Sequence, residues 1–141
     1  MPLGMKRTVL QAIAQAKLDD AMLLLENGRF SNAYYLAGYA IEIGLKACIA
    51  KQISADTIPD KTFVNDIFKH GLKGLVGVAG LSAELKEREA SDLTFATNWA
   101  LVGGWSPEVR YDIVDKYTAQ IMIQAVADNK SGVFEWIKAR W

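Results

Sequence analysis

Tyr35, Tyr39, Glu42 and Lys46 step by four, three and four residues, so on a helix they share one face. They sit in an otherwise apolar run from Arg29 to Gln52. A carboxylate and an ammonium one turn apart in such a run must find partners or incur a desolvation cost of several kcal/mol, roughly. A second polar set, Asn98, Trp105, Arg110, Tyr111 and Asp112, lies far along the chain. Arg110 is the expected partner of Glu42, because a guanidinium fork grips a carboxylate with two hydrogen bonds. That pair could tie two helices together. Alternatively, Arg110 lines a cleft for a phosphate or nucleotide with Tyr111 and Lys46, and Trp99 and Trp105 offer stacking surfaces. Tryptophans in a bundle also serve as core.

Two further residues could carry chemistry. His70, the one histidine of the chain, suits a general base or an RNA contact, or caps the turn entered at Gly71. Cys48, the one cysteine, is either a nucleophile or a small core residue. One histidine and one cysteine in apolar surroundings do not suggest a metal site. Gly71, Gly74, Gly77 and Gly80 lack the Lys-Ser/Thr ending of a P-loop and the preceding strand of a dinucleotide site. No nucleophile near His70 in sequence completes a triad. The reading calls for neither metal nor cofactor.

These residues must be positioned by helices. Phe30, Tyr34, Ile41, Leu45, Cys48 and Gln52 recur on one face of the central run, and Leu36, Ala40, Ile43, Ala47 and Ala50 widen it. A helix apolar nearly all round belongs in the middle of a bundle. Before it, Leu10, Ala14, Leu18, Ala21 and Leu25, with Ile13 and Leu24 beside them, predict an amphipathic helix over about Met5–Asn27. Asn27-Gly28 stops that helix, so the first two should pack as an antiparallel hairpin. Ser31 or Asn32 could cap the second. The stretch Asp56–Lys61 reads as a loop. Short helical turns follow around Phe63–Phe68 and Leu72–Val76, where four glycines argue against anything long. Ser82 is the expected cap of a third long helix to about Val102, with Leu93, Phe95, Ala96, Trp99 and Ala100 entering the core. A fourth starts after Ser106-Pro107-Glu108 or near Asp112 and runs to about Asn129, with Val114, Tyr117, Ile121 and Ala125 inward. Ser131-Gly132 interrupts it before a short last helix with Val133, Trp136, Ile137 and Trp141.

The whole chain, 1–141, reads as one all-α domain. Lys plus Arg equals Asp plus Glu at 16 each, so no global basic field draws in nucleic acid. The lone cysteine suggests a reducing, cytoplasmic setting. No run reaches the roughly 18 apolar residues of a membrane span, and the N-terminus lacks a secretory pattern.

At the residues singled out above, the chain resembles the HEPN domain family. The likeness rests on Tyr34-Tyr35-Leu36-Ala37-Gly38-Tyr39-Ala40-Ile41-Glu42 followed by Leu45-Lys46-Ala47. Lys69-His70-Gly71-Leu72 with Leu75, and then Trp105-Ser106-Pro107-Glu108-Val109-Arg110-Tyr111, support it. It spans roughly Leu10 to Trp136. The resemblance implies an antiparallel, up-and-down bundle of four to five helices, with a short irregular helical segment between the second and third long helices. It also implies a homodimer and a link to nucleotides or RNA. Many members look like metal-independent ribonucleases that use an Arg followed four to six residues later by His. Others look like nucleotide-binding modules or partners of nucleotidyltransferases in toxin–antitoxin pairs. Here Arg110 matches the arginine, but the histidine positions hold Asp115 and Tyr117. An ordinary aspartate is ionised at neutral pH and is a poor general acid. The expectation is therefore a non-catalytic module that binds a nucleotide, RNA or a partner protein through Arg110, Lys46, Tyr111 and Glu42. The alternative is a ribonuclease toxin that uses Arg110 with His70, or with Tyr117.

Overall fold

The computed structural model describes residues 4–141, so the first three residues of the expected single domain lie outside it. Among the described residues it contains eight α-helices, one 3-10 turn and no strand. Helix α1 (Arg7–Glu26) buries Leu10, Ala14, Leu18 and Ala21, as its periodicity predicts. Ile13, expected beside that stripe, is largely exposed. The helix ends where Gly28 takes φ +75°, a left-handed conformation that glycine adopts without Cβ strain. The Arg29 amide then donates to the Leu24 carbonyl at 2.8 Å. With so short a link, α2 (Phe30–Ala50) folds back along α1. No side chain caps α2. Ser31 instead accepts a hydrogen bond from the Val114 amide at 2.9 Å, pinning a distant segment of the chain.

Helix α2 is the axis of the bundle. It packs against α1, α4 (Leu72–Val78), α7 (Lys116–Ala127), α8 (Val133–Lys138) and the 3-10 turn Pro107–Tyr111. So many neighbours fit because half of its buried positions are Ala or Gly: Ala33, Ala37, Gly38, Ala40, Gly44 and Ala47. A glycine inside a helix costs about 0.5–1 kcal/mol against alanine. At Gly38 that cost is offset by Trp105, since a Cβ there would clash with the indole ring. Trp105 is 2% exposed and Trp99 5%. Both are core residues, so neither is the stacking surface that the sequence allowed. Cys48 is also core: its sulfur sits 3.8 Å from the Ile137 carbonyl oxygen, and burial pushes its thiol up to about 11. A thiol so placed is protonated at neutral pH and is no nucleophile.

The glycine-rich middle forms two seven-residue helices, α3 (Lys61–Ile67) and α4, with His70 on the link between them. The expected third long helix is two helices, α5 (Ser82–Ser91) and α6 (Leu93–Val102), broken at Asp92. The Asp92 carboxylate accepts from the Phe95 amide at 3.0 Å, capping α6 and competing with a continuous helix. The break resets the phase: Phe95, Trp99 and Val102 are buried, whereas Leu93 is 80% exposed and Ala100 is exposed. Ser82 lies inside α5 and makes no cap.

Helix α7 begins later than either expected start, because Asp115 accepts from the Thr118 amide at 2.7 Å. Val114 thus precedes the helix and Tyr117 is exposed. The inward face is Ala119, Met122, Ile123, Ala125 and Val126. Helix α8 is short and buries Val133, Trp136 and Ile137, as expected, and Phe134 as well, whereas Trp141 lies beyond its end and is half-buried. No helix among the described residues is long and apolar enough to cross a membrane.

Candidate functional site

Three elements meet at a cleft of about 290 Å³. Helix α2 contributes Tyr35, Tyr39 and Glu42. The link between α3 and α4 contributes His70 and Gly71. Ser106 and the 3-10 turn contribute a wall that includes Glu108 and Arg110. Trp105 fixes that wall. Lying on Gly38, it brings its ring centroid to 5.9 Å from Tyr35 and 6.3 Å from Tyr39, and the turn follows two residues later. The tyrosines contact each other edge to face at 5.7 Å.

Glu42 is the only buried charged residue among those described, at 3% exposure. Its Oε1 lies 3.0 Å from His70 Nδ1, and its Oε2 accepts from Lys46 Nζ at 3.4 Å. The partners differ in burial: the Lys46 side chain is 10% exposed and that of His70 59%. The Glu42–Arg110 pair expected from sequence does not form. His70 and Lys46 occupy both carboxylate oxygens, and Arg110 lies over the Tyr111 ring, 4.8 Å from its centroid. His70 is thus tied to Glu42 by Nδ1 rather than acting only as a local turn cap.

Arg110 forms no ion pair among the described residues. Its polar interaction with Tyr111 is the largest cause holding the guanidinium above its ordinary range, with smaller contributions from Glu108 and Tyr35. Burial, then the nearby Glu42 and Tyr35, raise the Tyr39 phenol. Tyr39 therefore stays protonated at neutral pH and can donate a hydrogen bond. Lys46, expected to add charge to the cleft, stands behind Glu42 and is not part of the lining. Tyr111 is also outside the lining and 73% exposed, and it bears on the cleft only through Arg110.

The second polar set of the sequence is therefore divided. Arg110 reaches the cleft, Trp105 supports it from the core, and Asp112 is exposed. Asn98 donates to the Ser131 carbonyl at 2.9 Å, tying α6 to the link before α8. Ser106 and Glu108 also line the cleft; the sequence marked them as a helix start and not as site residues, and their proximity to Arg110 was the available signal. Comparison of the chain with protein-family models, with curated proteins and with solved structures returns no match.

Proposed function

We propose that this cleft binds the phosphate of a nucleotide or of RNA, and that the protein is a binding module. The observation that carries the reading is Arg110: an exposed guanidinium without an ion pair at the edge of a cleft whose buried carboxylate is already satisfied by Lys46 and His70. Had Arg110 met Glu42, its charge would have been spent within the fold. As placed, no carboxylate among the described residues pairs with it, and its charge is left for an anion. The Tyr39 hydroxyl is a further donor in the same cleft. In this reading Arg110 holds the anion and Glu42 organises the opposing side chains. The HEPN resemblance extends it to an up-and-down bundle that works as a homodimer or beside a nucleotidyltransferase, in a toxin–antitoxin pair. Calorimetry with a set of nucleoside phosphates tests the site. Binding by the wild type and none by a folded Arg110→Ala is expected. Unfolding of that variant would assign Arg110 to stability instead.

One observation favours a second reading, cleavage of RNA in the same cleft. The Glu42–His70 contact is of the kind that orients an imidazole for proton transfer, and Arg110 could stabilise a phosphorane-like charge. Incubating RNA with the purified protein in chelator discriminates between the readings. Cleavage that disappears in both Arg110→Ala and His70→Ala selects the enzyme, and intact RNA with wild-type protein selects the binding module.

A further inference from the structure

His70 is held in a way that decides what it can offer a ligand. An ammonium has no acceptor, so Lys46 must donate to Glu42 Oε2. As the carboxylate partner of that ammonium, Glu42 accepts at its other oxygen as well. The donor to Oε1 is then His70 Nδ1–H, at 3.0 Å. In a neutral imidazole the second ring nitrogen is the acceptor. The His70 side chain is 59% exposed on the cleft wall, and its Nε2 has no partner among the hydrogen bonds of the described residues. With the imidazole neutral, the cleft offers two complementary features: a cation at Arg110 and a nitrogen acceptor at His70.

Resting on the anion-site reading above, we propose that the ligand is a phosphate ester that also carries a hydroxyl, which donates to His70 Nε2. Glu42 fixes the tautomer, and Lys46 is a positioning residue that acts through Glu42 and does not touch the ligand. A sugar phosphate has both groups. Inorganic phosphate and simple alkyl phosphates have only the anion.

Because His70 is the one histidine, ¹⁵N NMR of histidine-labelled protein reads its tautomer without assignment. In alkaline buffer, where an ordinary imidazole is neutral, the wild type should carry its proton on Nδ1. A proton on Nε2 would overturn the proposal outright. Calorimetry then compares ribose 5-phosphate with methyl phosphate, which shares the anion and lacks the hydroxyls. The wild type should prefer the sugar phosphate by roughly two- to tenfold, the equivalent of one hydrogen bond. His70→Ala should bind methyl phosphate as the wild type does and lose the preference. Equal binding of both probes by the wild type, or a preference that survives in His70→Ala, overturns the hydroxyl contact and leaves the anion site standing. Failure of both probes to bind, or unaltered binding to Arg110→Ala, overturns the anion site and the hydroxyl contact together. Lys46→Met should shift the His70 tautomer signals and narrow the preference, and Lys46→Arg should restore both. Unshifted signals and an intact preference in Lys46→Met would remove the positioning role. If Lys46→Met does not fold, Lys46→Arg decides alone: wild-type signals and preference support the role, and altered signals overturn it.

Discussion

At Asp92 a carboxylate is shared among the Phe95 amide, the Ser131 hydroxyl at 2.8 Å and the Arg88 guanidinium at 3.2 Å. At Glu42 a carboxylate is shared between an ammonium and an imidazole. Both have a basic partner four residues away in sequence, and both join distant elements. They differ in where the partners end. Every partner of Asp92 is tied back into the protein: Arg88 also donates to the Lys130 carbonyl at 2.8 Å and covers the Phe95 ring at 5.0 Å. Glu42 instead holds a half-exposed imidazole that lines a cleft. The same chemistry gives a joint in one place and a presented group in the other. What separates the two carboxylates is the exposure of what they hold.

The comparison is broken most severely at Glu42 itself. Glu42→Gln leaves the Lys46 ammonium nearly buried without its counter-charge, and loss of one partner from a buried pair costs about 3–5 kcal/mol. Denaturant unfolding should report that loss. A change well below it would mean that Lys46 relaxes to solvent and that the Glu42 cluster is looser than its 3% exposure implies. Next comes the scaffold of the cleft. Gly38→Ala drives a methyl group into Trp105, and overpacking of this kind costs about 1–3 kcal/mol. It should also weaken ligand binding, because the indole positions the wall that carries Arg110. Full affinity in a destabilised Gly38→Ala protein would show that the wall is held independently of Trp105.

The Asp92 joint has a smaller effect and a defined pH dependence. The Phe95 amide first, and then Ser131, hold its carboxyl below the usual carboxylate range. A lowered folded value means that the unfolded chain binds the proton more readily. The joint therefore stabilises fully above the ordinary aspartate range and loses its contribution as the pH falls through the lowered value. Asp92→Ala should lower Tm by a few degrees at neutral pH and flatten the acid limb of the stability profile. An equally steep acid limb in the variant would assign the acid sensitivity to another carboxylate.

These two carboxylates also mark how far the sequence could be read. Local periodicity made α1, α2 and the α1–α2 turn legible, because Leu10, Ala14, Leu18 and Ala21 repeat at helical spacing and Asn27-Gly28 ends the repeat. It also flagged Glu42 and Arg110, whose polarity is out of place. It did not show the break at Asp92. A charged residue in mid-helix has the same pattern as a capped break unless its bond to the third residue on, Phe95, is considered. The face of α7 was misjudged for the same reason: with Asp115 as the cap, Val114 falls outside the helix and the buried set shifts from Tyr117 and Ile121 to Met122 and Ile123. Pairing was the least legible feature. Glu42 and His70 are 28 positions apart, on elements brought together only by the packing of α4 on α2, and no periodicity encodes that meeting. A forked donor, Arg110, was matched to a buried acceptor, Glu42, but the fold brought His70 instead.

The smallest effect on stability and the largest on function should coincide at Arg110. Its side chain has no ion pair, and its ring contact is to an exposed Tyr111. Arg110→Ala should therefore leave Tm unchanged while abolishing the binding of phosphate-bearing ligands. Arg110→Lys should recover only part, because a point charge replaces a planar fork. Tyr111→Ala separates presentation from contact. If Tyr111 only props the guanidinium, its loss should weaken binding less than Arg110→Lys does, with the same order of preference among nucleotides. A changed order would place Tyr111 against the ligand and move the edge of the site outward from the cleft. If Arg110→Ala lowered Tm as much as Asp92→Ala, Arg110 would be a joint like Asp92, and the contrast between a spent and a presented charge would fail at the residue that defines it.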